Sequence, residues 1–254
     1  MSFLIDTHAH IYYEDYANDL PGVINRAKKN NVNKIICVGT DIKTSQESLN
    51  ISKLYDNIYC TVAIHPHEAK IARNCYISDL NRMAKNAKVV AIGESGLDYY
   101  YNHSSPAIQK KIFIDQIALS KDLDLPIVVH NRESDNDMID ILQKHKPTGV
   151  VHCFSGDSIL AKKLIDIGFY ISFTGIITFK NSTLSSIIKE IDMDRIMLET
   201  DSPYLTPVPN RGKLNEPSNV KIIAQKIAEI KELELEFVIS KTTENALKLF
   251  DKIK

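Results

Sequence analysis

Four cysteines in 254 residues, Cys37, Cys60, Cys75 and Cys153, form neither a Cys-x-x-Cys pair nor a framework spacing. That excludes a disulfide-stapled scaffold and suits reduced thiols in a cytoplasmic protein. Long apolar runs are missing too. None approaches the roughly 18 residues of a membrane span, and the opening MSFLIDTHAH lacks the basic start and apolar stretch of a secretory signal. Charge of one sign is absent, with 31 basic residues against 32 acidic ones and a net charge of −1. No whole-molecule field draws in a polyanion, so a nucleic-acid partner has to be held by local features. Linkers, low-complexity tracts and internal repeats are also lacking, and residues 1–254 are expected to form one domain.

What is present is a rhythm. Eight short apolar, β-branched runs recur: FLIDTH, KIICVG, IYCTVAI, VVAIGE, PIVVH, GVVHCF, FYISFTG and RIMLETD. Amphipathic segments lie between them, with Leu160, Ala161, Leu164 and Ile165 on one helical face and Val220, Ile223, Ile227 and Ile230 on another. Ser105-Pro106 reads as a helix cap followed by a first-turn proline. Continuous apolar strands alternating with helices imply a parallel sheet buried on both faces. Eight such units in a chain of about 250 residues point to a closed (β/α)8 TIM barrel, with an open doubly wound sheet as the competitor.

The polar residues are placed unevenly on this rhythm. In IDTHAH, residues Asp6, His8 and His10 alternate and so share one face of a strand. His8 and His10 end the first run, His65 follows the third, Glu94 ends the fourth, and His130, His152 and Asp201 mark the fifth, sixth and eighth. In a barrel these ends meet on one rim, where such enzymes do their chemistry. Four histidines with Glu94 and Asp201 suit two divalent ions sharing a carboxylate; imidazole takes Zn²⁺, Mn²⁺ or Co²⁺, and carboxylates also accept harder ions such as Mg²⁺. A hydrogen-bonded polar network without metal is the alternative, and burying so many polar groups for that alone is costly.

The motifs DTHAH (6–10), HPH (65–67), IGESGLDYYY (92–101), PIVVHNR (126–132), HCFSG (152–156), SFTGIITFK (172–180), LETDSPYLTP (198–207) and RGKLNEP (211–217) occur in this order. Across essentially its whole length the chain resembles the TatD family of metal-dependent deoxyribonucleases, (β/α)8 barrels of the amidohydrolase-like group. The resemblance implies that His8, His10, Glu94 and Asp201 hold one ion, and that Glu94, His130 and His152 hold the other. Two departures from the family pattern are Ala63, where glycine is common, and Leu214, where a basic residue is usual.

Around these residues, Asp201 is the candidate general base and His65 a candidate donor to a phosphate oxygen, with a structural role beside Pro66 as the alternative for His65. Asp98 is expected to orient a ligand histidine or to shape a turn. Arg132, Arg211 and Lys213 are candidate phosphate contacts, and the tyrosine run from Tyr99 to Tyr101 a candidate surface for unpaired bases. His67, His103 and His145 read as surface residues. The expected activity is hydrolysis of DNA phosphodiesters from an accessible end, with no membrane and no obligate protein partner. The runner-up keeps barrel and metals but cleaves an amide or carboxylic ester, including an ester on a nucleotide or tRNA end. A non-catalytic metal-binding scaffold is a third possibility.

Overall fold

The computed structural model describes residues 3–101 and 103–254, and every apolar run contains a strand. The first half runs β1 (Leu4–Ala9), α1 (Leu20–Lys29), β2 (Val32–Val38), α2 (Ile42–Leu54), β3 (Ile58–Val62), α3 (Tyr76–Ala84), β4 (Val89–Asp98) and α4 (Pro106–Asp122). The second runs β5 (Ile127–Arg132), α5 (Asp135–His145), β6 (Gly149–Val151), α6 (Ser158–Asp166), β7 (Tyr170–Phe173), α7 (Leu184–Glu190) and β8 (Ile196–Leu198). Two helices, α8 (Val220–Lys231) and α9 (Leu235–Leu249), complete it. The strands pair in sequence order, every pair parallel. Between β8 and β1 the barrel is closed by a parallel bridge from Ala9 to Ser202. There the Asp201 N–H donates to the His8 carbonyl at 2.9 Å, and the His10 N–H to the Ser202 carbonyl at 2.7 Å. The TIM barrel, not the open sheet, is the fold.

Strand alternation divides the core into two layers. Ile35 and Cys37 of β2 face the helices, and the Cys37 thiol reaches Ser48 of α2 at 3.3 Å. Ile36 and Val38 face inward with Ile5, Val90, Val128, Val150 and Met197, and Phe250 and Ile253 beyond α9 close that inner layer. Each such side chain contributes about 1.5–3 kcal/mol when fully buried. Among the places where the registers slip are the stretch between Asp6 and Ala9 on β1 and that between Ile92 and Ser95 against β5. Irregular pairing of this kind re-aims side chains beside functional sites. These two slips flank His8 and Glu94.

Candidate metal centre

The rim at the C-terminal strand ends opens into a cavity of about 720 Å³ lined by His10, His65, Glu94, His130, His152 and Asp201, among others. Glu94, almost fully buried on β4, stands at its floor. Its Oε1 lies 2.7 Å from His152 Nε2, 2.8 Å from His130 Nδ1 and 3.3 Å from His65 Nε2. Its Oε2 lies 3.3 Å from His8 Nε2 and 3.8 Å from His10 Nε2. Asp201 Oδ1 faces the same two rings, 3.4 Å from His10 Nε2 and 3.7 Å from His8 Nε2. Three sets of donor atoms, His8-His10-Asp201, His8-Glu94-His152 and His65-Glu94-His130, each fall within 4.8 Å of one another.

Outer partners fix which ring nitrogens face inward as lone pairs. The Val38 carbonyl can only accept, so His10 carries its proton on Nδ1, which donates to it at 2.9 Å, and turns Nε2 inward as an acceptor. Asp98 Oδ2 lies 3.0 Å from His130 Nε2 and takes a hydrogen bond from it, leaving Nδ1 for the centre. Burial disfavours the Asp98 carboxylate, but bonds from His130, the Tyr101 N–H and His67 outweigh it and hold its pKa well below the usual range. Glu199 Oε1 stands 3.5 Å from His152 Nδ1 and accepts the Cys153 N–H at 2.6 Å, so it braces the sixth strand end from behind. His65 is the exception. Its Nδ1 accepts the His67 N–H at 3.1 Å, so its proton sits on Nε2 and points into the cavity. Burial pushes its pKa down to about 4, keeping the ring neutral at pH 7.

This donor set fits a divalent cation. The carboxylates of Glu94 and Asp201 converge with the imidazole nitrogens, and among the described residues the cation besides histidine that lines the cavity is Arg132, whose guanidinium lies over Tyr100 and Tyr101. Burial alone would raise the Glu94 pKa, yet the surrounding imidazoles, His152 foremost, hold it well below the carboxylate norm. His8 is fully buried, stacked on His152 at 4.0 Å between ring centroids, and its Nδ1 has no partner among the described residues. Its orientation is thus left to whatever meets Nε2.

The other expected residues divide. Asp98 both orients a centre histidine and shapes the following turn, its Oδ1 accepting the Tyr100 and Tyr101 N–H groups at 3.1 and 3.0 Å. Arg132 lines the cavity, its guanidinium 3.9 Å over the Tyr100 ring and 4.7 Å over Tyr101. Tyr101 lines the cavity, whereas Tyr99 does not and donates its hydroxyl to Asp137 at 2.6 Å. Arg211 and Lys213 are exposed on the loop after β8 without lining the cavity; Arg211 lies over Phe179 at 3.9 Å. Asp6 does not join the histidines it alternates with. It is buried beneath them, accepting N–H bonds from His8 and Thr200 and the Thr200 hydroxyl. His67 is not a surface bystander: it lines the cavity and meets Asp98 Oδ2 at 2.9 Å, a role that its place in HPH beside His65 could have signalled. Glu199 was visible as an acid inside an otherwise apolar strand end, two residues before Asp201.

A barrel with imidazoles and carboxylates converging at its C-terminal rim defines a metal-dependent hydrolase. The family described as TatD related DNase matches residues 5–251, and the chain belongs to that family of metal-dependent hydrolases. It is similar to the uncharacterized metal-dependent hydrolase YabD of Bacillus subtilis, with 44% identity covering 97% of this chain and 98% of that one. With the 3'-5' ssDNA/RNA exonuclease TatD of Edwardsiella piscicida it shares 30% identity over 97% of this chain and 99% of that protein. The crystal structure of YJJV, a TatD homologue from Escherichia coli K12, superimposes with a TM-score of 0.93 at 26% identity, covering 98% of each chain. No helix among the described residues is long and apolar enough to cross a membrane.

Proposed function

We propose that the protein is a phosphodiesterase using two divalent ions to hydrolyse DNA from an accessible, single-stranded end, working in the cytoplasm without an obligate protein partner. The observation that carries this reading is the divided carboxylate of Glu94, with Oε1 toward His130 and His152 and Oε2 toward His8. One side chain then serves both donor sets, His8, His10, Glu94 and Asp201 on one side and Glu94, His130 and His152 on the other. When bound, the ions supply Lewis acidity toward the scissile phosphate and the attacking water.

The remaining chemistry belongs to side chains. Burial opposes ionisation of Asp201, but the His10 ring and neighbouring His8 hold its pKa below the usual carboxylate value, so it is ionised at neutral pH and positioned to accept the proton of the attacking water. His65, neutral and with Nε2–H inward, donates to a phosphate oxygen as charge develops there. Arg132 takes phosphate oxygens through its fork, held flat by the tyrosines beneath it. Tyr101, half exposed at the cavity mouth, offers a face to an unpaired base. Arg211 and Lys213 contact the strand farther out. The name of the Edwardsiella relative supports a nucleic-acid substrate.

End-labelled single- and double-stranded oligonucleotides, a small phosphodiester, and a panel of amides and carboxylic esters including aminoacyl-nucleotides test it together. The expected result is stepwise shortening of the single strand, lost in Asp201→Asn. Cleavage of amides or carboxylic esters with every phosphodiester left intact would falsify the nuclease reading and favour the ester-hydrolase alternative.

A further inference from the structure

Asp201 adopts a left-handed backbone, φ 54°, which a residue with a side chain takes up only when its surroundings impose it. The turn that carries it is held by the Asp6 and His8 bonds to Thr200 and Asp201, and also by Asn215, a fully buried residue of the RGKLNEP segment that does not line the cavity. The Asn215 Nδ2 group donates to the carbonyl of Thr200 at 3.0 Å and to that of Tyr204 at 2.5 Å, one residue before and three residues after Asp201. Its Oδ1 accepts the Glu216 N–H at 2.9 Å and Asn219 Nδ2 at 2.8 Å, so the amide is satisfied at both ends and cannot turn. The segment is itself anchored: Glu216 takes Arg26 of α1 with two hydrogen bonds at 2.7 and 2.8 Å, and Tyr16 donates to the Asn215 carbonyl.

We infer that Asn215 is a positioning residue, which fixes the Asp201 carboxylate relative to His8 and His10 by bracketing the turn that carries it. The inference rests on the proposed reading of the centre, in which Asp201 is both ligand and proton acceptor. It also gives the NEP part of the segment a different task from phosphate contact, since its side chains face α1 and the turn rather than the cavity. A carboxylate displaced by about 1 Å costs on the order of 100-fold in rate.

The protein contains its own control. Asn245 of α9 is also buried and donates to two carbonyls, Met193 at 2.7 Å and Ile196 at 2.8 Å, at the opposite end of the same strand β8. Asn215→Ala and Asn245→Ala each lose two bonds to carbonyls at an end of β8, only Asn215 lying near the centre and losing its two accepted bonds as well. Asn215→Asp keeps the shape but loses both donors, and carries the comparison if the alanine variant does not fold. Two measurements are read on each: kcat and KM on a single-stranded oligonucleotide, and affinity for each equivalent of Zn²⁺ by competition with a chromogenic chelator. The expectation for the Asn215 variants is a kcat lowered on the order of 100-fold with KM within about twofold, and one Zn²⁺ equivalent weakened at least about tenfold. Asn245→Ala keeps kcat and both equivalents whatever its loss of stability. Equal behaviour of the variants at the two positions overturns the positioning role. If the wild type cleaves no phosphodiester, the nuclease reading fails and the Zn²⁺ titration alone decides for Asn215.

Discussion

Asp6 shares a motif with His8 and His10 but has a different task. Its carboxyl is fully buried and hydrogen-bonded to the His8 and Thr200 backbone and the Thr200 hydroxyl, tying β1 to the turn beyond β8. Burial pushes its pKa from 3.8 up to about 8, against the pull of the Thr200 and His8 bonds. The folded form therefore keeps a proton that the unfolded chain gives up near pH 4, and stability falls as pH rises from about 4 to about 8. Asp6→Asn keeps the shape and cannot ionise. In metal-free protein its Tm relative to wild type is expected to climb with pH across that window, measured by thermal unfolding in chelator-containing buffers. A constant difference from pH 4 to pH 8 would show that Asp6 does not titrate there. Residues such as Asp6 mark where sequence reading stops. Alternation put Asp6 on the face of His8 and His10, but the slipped β1 register separates them. Spacing likewise exposed the acids and histidines at strand ends, whereas Glu199 and His67 act through neighbours 47 and 31 positions away, Glu199 on His152 and His67 on Asp98, which no local pattern connects.

At the scale of elements, the eight strands were legible because most of their residues are buried on both faces and so read as largely apolar runs. The first-turn proline of α4 and the apolar faces of α6 and α8 were legible for the same local reason. The pairing of β4 with β5 was not, because it depends on what glycine permits rather than on hydrophobicity. Gly96 pairs with His130 at φ 150°, and a Cβ there would lie 2.0 Å from the His130 carbonyl oxygen. Gly96→Ala must push β5 away at the residue that turns its ring toward Glu94. The expected cost is at least about 1–3 kcal/mol of stability, with loss of metal affinity on the His130 side. Gly212, at φ 84° with nothing within 4 Å, supplies the contrast. Gly212→Ala carries backbone strain alone, about 1 kcal/mol, and leaves metal binding intact. Urea unfolding of both variants with metal titration separates them, and equal metal affinity in the two would detach Gly96 from the centre.

For the whole molecule the open matter is which ions complete it. The family resemblance implies Mg²⁺, yet this centre turns five imidazoles, four of them in the proposed ligand sets, and two carboxylates inward. Mg²⁺ prefers oxygen and water and binds nitrogen weakly, whereas Zn²⁺ and its neighbours take imidazole readily. Purified protein is therefore expected to retain Zn²⁺ or another transition metal, with added Mg²⁺ or Mn²⁺ supporting turnover at the more carboxylate-rich set of His8, His10, Glu94 and Asp201. Ion loss is expected to reach the barrel as a whole, because those donors come from β1, β4 and the turn after β8, and among the described residues one bridge joins that turn to β1. Removing one ion present at a hundred times its Kd costs about 2.7 kcal/mol. In a chain of this size each kcal/mol moves Tm by roughly 2–4 °C, so stringent chelation should lower Tm by at least about 5 °C. Glu94→Ala should lose both ions and gain little from adding them back, while His152→Ala should lose chiefly one. Elemental analysis and thermal unfolding before and after chelation, with each ion returned singly, decide the matter. Full activity and full Tm restored to stringently demetallated protein by Mg²⁺ alone would defeat the transition-metal assignment, and unchanged metal content in Glu94→Ala would remove the carboxylate from between the two donor sets.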